Sequence, residues 1–128
     1  MRNRFFLIFC AVGLLPIALG YGASPSVTMN ALFSIAVDGV NLTHILRAVM
    51  GLYLGMIVLW LWGAFSKSMQ GPALVACAVF MLGLAAGRIL SLVLDGMPHG
   101  LLVVYAILEV LLGLTAIFLY RRTERNPR

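Results

Sequence analysis

Four ionisable side chains stand inside or beside apolar runs where lipid-like surroundings would not tolerate them alone: Arg47, Arg88, Asp95 and Glu109. An arginine near the middle of an apolar helix costs about 2.5 to 3.5 kcal/mol on insertion scales, so it calls for a partner or a purpose. The stretch Gly83 to Gly96 poses the problem most sharply, with Arg88 inside a long apolar segment and Asp95-Gly96 as its stop. Arginine and carboxylate set side by side in such a place can satisfy one another, or they can hold a polar head group, a quinone or a proton. No nucleophile–base pair, phosphate loop or metal-ligand set occurs in the sequence, which weighs against an enzyme and calls for no metal or cofactor. Cys10 and Cys77 each stand alone in an apolar run, without a CxxC or a Cys/His cluster, and read as small apolar fillers that could be neighbours.

The elements that must position these charges are membrane spans. The chain has 128 residues, 62% hydrophobic and 10% charged, where a soluble domain carries roughly a quarter charged residues. One domain, residues 1–128, suits this length. Four spans follow from the apolar runs, at about 5–22, 43–65, 72–94 and 99–120. The first run, behind Met-Arg-Asn-Arg, also resembles a signal peptide with Gly20-Tyr21-Gly22 as its small-residue site. At about 18 residues it is long for a signal and near the minimum for a span, which favours a retained helix. Residues 23–42 form the one long connection. Ala-Ser-Pro-Ser reads as a turn, and the nine residues Met29–Val37 as a short helix lying at the membrane interface. Asn41 or Thr43 can cap the next helix. Trp60, Trp62 and Phe65 mark its far interface. Residues 66–71 read as a turn, with Pro72 at the first position of the third span. The expected fold is therefore all-α: an integral membrane four-helix bundle with a short interfacial helix between its first two spans.

Charge placement sets the topology. Arg2, Arg4, Lys67, Arg121, Arg122, Arg125 and Arg128 cluster at the start, at the 66–71 turn and in the tail, whereas the two other connections carry no Lys or Arg. That asymmetry puts both termini in the cytoplasm and the 23–42 and 95–98 connections outside, and it leaves no basic face for nucleic acid. Arg88 then lies about 10 Å below the outer end of its helix, Glu109 about 16 Å and Arg47 about 6 Å. Arg88 with Glu109 is the expected deep pair, and Arg47 with Asp95 or Asp38 the expected shallow one. Gly87, Arg88, Ser91 and Asp95 share one helix face, as do Tyr105, Glu109 and Gly113 on the next helix, and these faces are expected to meet in the bundle interior. His44, Arg47, Gly51 and Gly55 share a third. The candidate polar site is Arg47, Arg88, Ser91, Asp95 and Glu109, with His44, Tyr53 and Tyr105 beside them. His44 and His99 also fit plain helix-end roles, and Tyr53 and Tyr105 plain packing. Gly51/Gly55 and Gly83/Gly87 form small-xxx-small pairs suited to close helix approach, within the bundle or between copies.

Several quoted strings carry a resemblance. His44-Ile45-Leu46-Arg47-Ala48-Val49-Met50-Gly51-Leu52-Tyr53-Leu54-Gly55, then Phe80 to Arg88, Ser91, Asp95-Gly96-Met97-Pro98 and Glu109, are together similar to a family of small bacterial four-helix membrane proteins, domain of unknown function 4345. The resemblance covers nearly the whole chain and implies a four-helix fold in the bacterial inner membrane, with no activity to carry over. More distantly the architecture resembles DoxX-type four-helix proteins, some of which accompany quinone-linked oxidoreductases, an analogy of fold alone.

Two functional expectations follow. One is a non-enzymatic binding or transport-like module for a lipid, quinone or other amphipathic small molecule, which requires an accessible cavity beside Arg88. The other is a structural or accessory subunit of a membrane complex, such as a quinone-linked oxidoreductase. There the charges only satisfy one another, and exposed glycine faces meet a partner membrane protein or a second copy.

Overall fold

Helix formation here is interrupted only where proline, glycine or a polar cluster breaks the apolar pattern. The computed structural model describes residues 1–125; Arg128 of the basic tail lies outside them. Five helices follow in order: α1 (Arg2–Gly22), α2 (Pro25–Phe33), α3 (Val40–Phe65), α4 (Lys67–Leu94) and α5 (Gly100–Arg125). Four of them, all but α2, are long and apolar enough to cross a membrane. Their outer surface is apolar too: Val79, Phe5 and Phe118 are all about 60% exposed or more. Large aromatic and aliphatic side chains spread over the whole exterior belong in lipid, not in water.

The boundaries move from the expected ones for identifiable reasons. The short connecting helix lies at 25–33 rather than 29–37. Pro25 occupies its first turn, where a missing N–H costs nothing, and Ser34 ends it in the left-handed region at φ 56°, donating its N–H to Asn30 O. α3 starts at Val40 behind Gly39, whose φ of +85° suits a residue without a Cβ. Neither Asn41 nor Thr43 caps it; Thr43 Oγ1 instead donates back to Gly39 O at 3.1 Å. The turn between α3 and α4 shrinks to Ser66, so Pro72 sits inside α4 and not at its start. At that depth it removes one backbone bond, to the Ser68 carbonyl, and the helix continues because both flanks are packed. Gly96, at φ +95°, makes the last sharp turn.

Packing follows the order α1–α3–α4–α5. α1 packs mainly on α3, α3 on α4 and α4 on α5, while α2 rests on α1 and α3. The buried residues of α1 (Leu7, Cys10, Ala11, Leu14 and Ala18) recur at three- and four-residue intervals, one stripe facing inward. Tyr53, Ile57, Trp60 and Ala64 meet them from α3. Trp60 is fully buried, so it belongs to the core rather than to an interfacial belt; Trp62 and Phe65 are the exposed aromatics at that end. Cys10 and Cys77 lie together in the same core, as free thiols.

Close helix approach is made by glycines other than the two spaced pairs. A Cβ on Gly113 would lie 2.6 Å from Leu82 Cγ, one on Gly22 would meet Met50, and one on Gly63 would strike Ala73 and the Met69 carbonyl. Gly51, Gly55, Gly83 and Gly87 have nothing within 4 Å of such an atom and face outward.

The start of α1 and the end of α5 lie at one end of the bundle, and polar side chains tie that end together. Asn3 Nδ2 donates to Gln70 Oε1 at 3.1 Å and to Thr123 Oγ1 at 2.8 Å, joining α1, α4 and α5. Arg4 lies 4.6 Å above the Phe65 ring. Beyond that tie α1 and α5 barely touch, so the ring of four spans is open along one side.

Candidate functional site

The open side is where the polar residues gather. α5 presents a stripe of Ala106, Glu109, Gly113 and Ala116 to α4, and Glu109 is the one charged member of that buried line. From α4, Arg88 reaches it: Nε donates to Glu109 Oε2 at 2.8 Å and to Oε1 at 3.0 Å. The side chains are 20% and 10% exposed. Among the described residues this is the one salt bridge. In a low-dielectric setting such a charge-assisted bond is strong, and either charge alone is costly.

Both oxygens of Glu109 are directed at the single Nε hydrogen. A guanidinium carries five donors; the pair with Glu109 engages the Nε hydrogen, and the Tyr21 hydroxyl lies close to the same guanidinium. The Arg88 guanidinium carbon lies 5.8 Å from the centre of the Tyr105 ring. Tyr53 lies across from it on α3, buried, with its ring edge-on to Tyr21 at 5.6 Å and to Phe80 at 5.1 Å. Arg88, Glu109, Tyr53 and Tyr105 line a cavity of about 320 Å³ between α1 and α5, otherwise walled by apolar side chains such as Phe9, Met81, Leu84 and Leu112. That volume lies at the lower end of small-molecule sites, roughly 300–1,000 Å³.

The cavity exists because of what α1 lacks. Gly13 lines it without a side chain, and a Cβ there would meet nothing within 4 Å. Pro16, one turn on, adds only a compact ring. A second space of about 180 Å³ under α2 shares Pro16, Ile17 and Tyr105 with the first, so the cleft continues toward the end of the bundle remote from the termini. Phe33 at the end of α2 stacks edge-on to His99 at 5.8 Å and closes that end over the α4–α5 turn.

The candidate residues read from the sequence divide into two groups. Arg88, Glu109, Tyr53 and Tyr105 come together around the cavity. Arg47 does not join an acid: its Nε donates to the Gly22 carbonyl at 3.3 Å, at the C-terminal end of α1. The shallow pairing with Asp95 or Asp38 is therefore replaced, because the face of α3 that carries Arg47, Gly51 and Gly55 turns away from α4 and α5. An unpaired helix-end carbonyl is a natural partner for a cation placed there. His44 lines a surface groove with Arg47 and Thr43, away from the cavity. Ser91 borders a small crevice with Arg88, but its hydroxyl donates to Asp95 Oδ2 at 2.7 Å, and both are exposed. Asp95 thus lies outside the buried pair. His99 accepts the Leu101 N–H on Nδ1 at 3.3 Å, a helix-end role.

Tyr21 is the residue of this cluster that sequence reading passed over. Its place between two glycines at the end of α1 drew attention to a cleavage motif rather than to its hydroxyl. A phenol on the last turn of a span, level with a buried arginine on another, is the signal that points to it. Gly13 carried no signal, since its importance is the space it leaves.

No curated protein and no solved structure matches the chain. A family model described as "Domain of unknown function (DUF4345)" matches residues 3–120, a span that takes in every residue around the cavity, and the chain belongs to that family.

Proposed function

We propose that this protein is a non-enzymatic binding or transport-like module of the bacterial inner membrane, with both termini cytoplasmic. Its ligand is a lipid-soluble or amphipathic small molecule held in the α1–α5 cleft. One observation carries the reading: the Arg88–Glu109 pair, joined through Nε, stands in the wall of an otherwise largely apolar cavity. A purely structural ion pair has no use for a cavity beside it. The basic residues at the terminal end of the bundle support the orientation through the preference of Lys and Arg for the cytoplasmic side.

Native mass spectrometry of the protein released from its own membrane tests this, with Gly13→Leu as comparison. A Cβ at position 13 meets nothing within 4 Å, and leucine there replaces a helix-interior glycine, so the fold is expected to be retained while the larger side chain takes up cleft space. A bound small molecule is expected on the parent and not on Gly13→Leu. Equal spectra from two folded proteins refute the reading.

A second reading rests on the outward-facing Gly51/Gly55 and Gly83/Gly87 pairs, which no helix of this chain covers. They suit an accessory subunit that packs against another membrane protein or a second copy. The resemblance to DoxX-type proteins makes a quinone-linked oxidoreductase one such setting, by analogy of fold. Disulfide crosslinking through Gly51→Cys or Gly83→Cys in intact membranes distinguishes the two. A discrete crosslinked product at either position favours the subunit.

A further inference from the structure

From the balance of donors and charges in the cleft, we infer that the ligand is an uncharged lipid presenting a carbonyl oxygen to Arg88, and that it arrives sideways from the bilayer between α1 and α5. This rests on the binding reading above and narrows it to one ligand chemistry.

Hydrogen-bond bookkeeping comes first. The cavity wall holds a donor-only group, the Arg88 guanidinium, with Tyr53 and Tyr105 close by. The one strong acceptor, Glu109, already has both oxygens on Arg88 Nε. Since the guanidinium donates and cannot accept, the ligand group that meets Arg88 is an acceptor oxygen rather than an N–H or O–H donor.

Charge decides which acceptor. Arg88 and Glu109 cancel, and no other charged residue lines the cavity. A carboxylate or phosphate placed against Arg88 would leave the site with a net negative charge in a low-dielectric pocket, with Glu109 close behind the same guanidinium. Uncompensated buried charge is heavily penalised. A carbonyl oxygen accepts from Nη1 and Nη2 without adding charge. The arrangement thus separates neutral from anionic lipids through Glu109, whose role in the proposal is to lower the affinity for anions that a lone arginine would attract.

The route follows from the packing. At one end Asn3 holds α1 to α5 through Thr123. α2 covers the other end, with Phe33 against His99. Between them α1 and α5 make almost no contact, and Gly13 leaves the wall low. The cleft therefore faces the acyl chains, not either aqueous side. An apolar tail fits along Phe9 and Leu112 while the head meets Arg88.

The test uses the full chain in detergent and three probes: a decyl-substituted benzoquinone, dioctanoylglycerol and dodecanoate, the last at alkaline pH where it is ionised. Binding is followed by quenching of intrinsic fluorescence and by thermal shift, for the parent, Tyr105→Phe and Gly13→Leu. At least one uncharged probe is expected to bind at least tenfold more tightly than dodecanoate. A preference between the ring ketone and the ester identifies the source of the carbonyl. Gly13→Leu is expected to abolish that binding, and Tyr105→Phe to weaken it severalfold while the fold is retained. Dodecanoate binding as tightly as the uncharged probes overturns the inference and leaves the binding module standing. Binding that is unchanged in both variants also overturns it, since the molecule then sits elsewhere. Failure of all three probes overturns it as well. A small molecule co-purifying with the parent alone would then keep the broader function intact.

Discussion

Neutralising Glu109 should destabilise the bundle strongly, and neutralising Arg88 with it should recover much of the loss. Arg88 Nε lies 2.8 and 3.0 Å from the two Glu109 oxygens, and the side chains are only 20% and 10% exposed. Neither charge can relax into water once its partner is gone. Removing one member of a buried pair costs about 3 to 5 kcal/mol. Glu109→Gln keeps one acceptor oxygen, and Arg88 borders the open cleft, so a value of about 3 kcal/mol at the lower end of that range is expected. Arg88→Gln leaves a buried carboxylate without its partner and should cost as much. In the double variant two amides of modest polarity replace two charges, and coupling of about 2 kcal/mol or more should appear. Reversible unfolding in mixed micelles, followed by tryptophan fluorescence, measures all four proteins; Trp60 is a buried reporter two helix contacts away. If the single losses simply add, to within about 0.5 kcal/mol, the ion pair is not what holds these residues in the membrane.

The glycines give a sharper contrast. Gly113→Leu must displace Leu82 and should cost about 1 to 3 kcal/mol, read by the same unfolding assay. Gly63→Val meets Ala73 and the Met69 backbone, which cannot move as a side chain can, so its loss should exceed that of Gly113→Leu. Gly83→Ala and Gly51→Ala touch nothing in the chain, and by helix propensity each should be neutral or stabilising by up to about 1 kcal/mol. A marked loss at either position in the isolated protein would show that the outward faces are covered within one molecule. Asn3→Ala removes two hydrogen bonds, and at a net of about 0.5 to 1.5 kcal/mol each the effect should be modest. Its signature is a wider distribution of distances between spin labels on exposed positions of α1 and α5, with α3–α4 distances unchanged.

The sequence by itself determined the class and the coarse architecture. Long apolar runs leave the backbone no way to satisfy its hydrogen bonds in lipid except as helices, so four spans and one short connecting helix follow from composition and breakers alone. The depth of Arg88 and Glu109 follows as well, since rise per residue is fixed and both can be counted from helix ends marked by Asp95-Gly96 and Pro98. That is why their pairing could be expected before any packing was known.

Only the tertiary structure decided which way each helix faces. In a soluble bundle the apolar stripe identifies the inner face, but a span is apolar on every side, and lipid offers no preference between them. Spacing therefore could not show that Gly51/Gly55 and Gly83/Gly87 look outward while Gly22, Gly63 and Gly113 make the close approaches. Nor could it show that Arg47 turns to the end of α1 rather than to an acid. Trp60 was misplaced for the same reason: an aromatic near the end of a span fits an interfacial belt or a core equally well until the rotation of the helix is known. The cleft belongs wholly to this level. It arises from a missing contact between α1 and α5 and from the side chain that Gly13 does not have, and an absence of contact leaves no pattern along the chain.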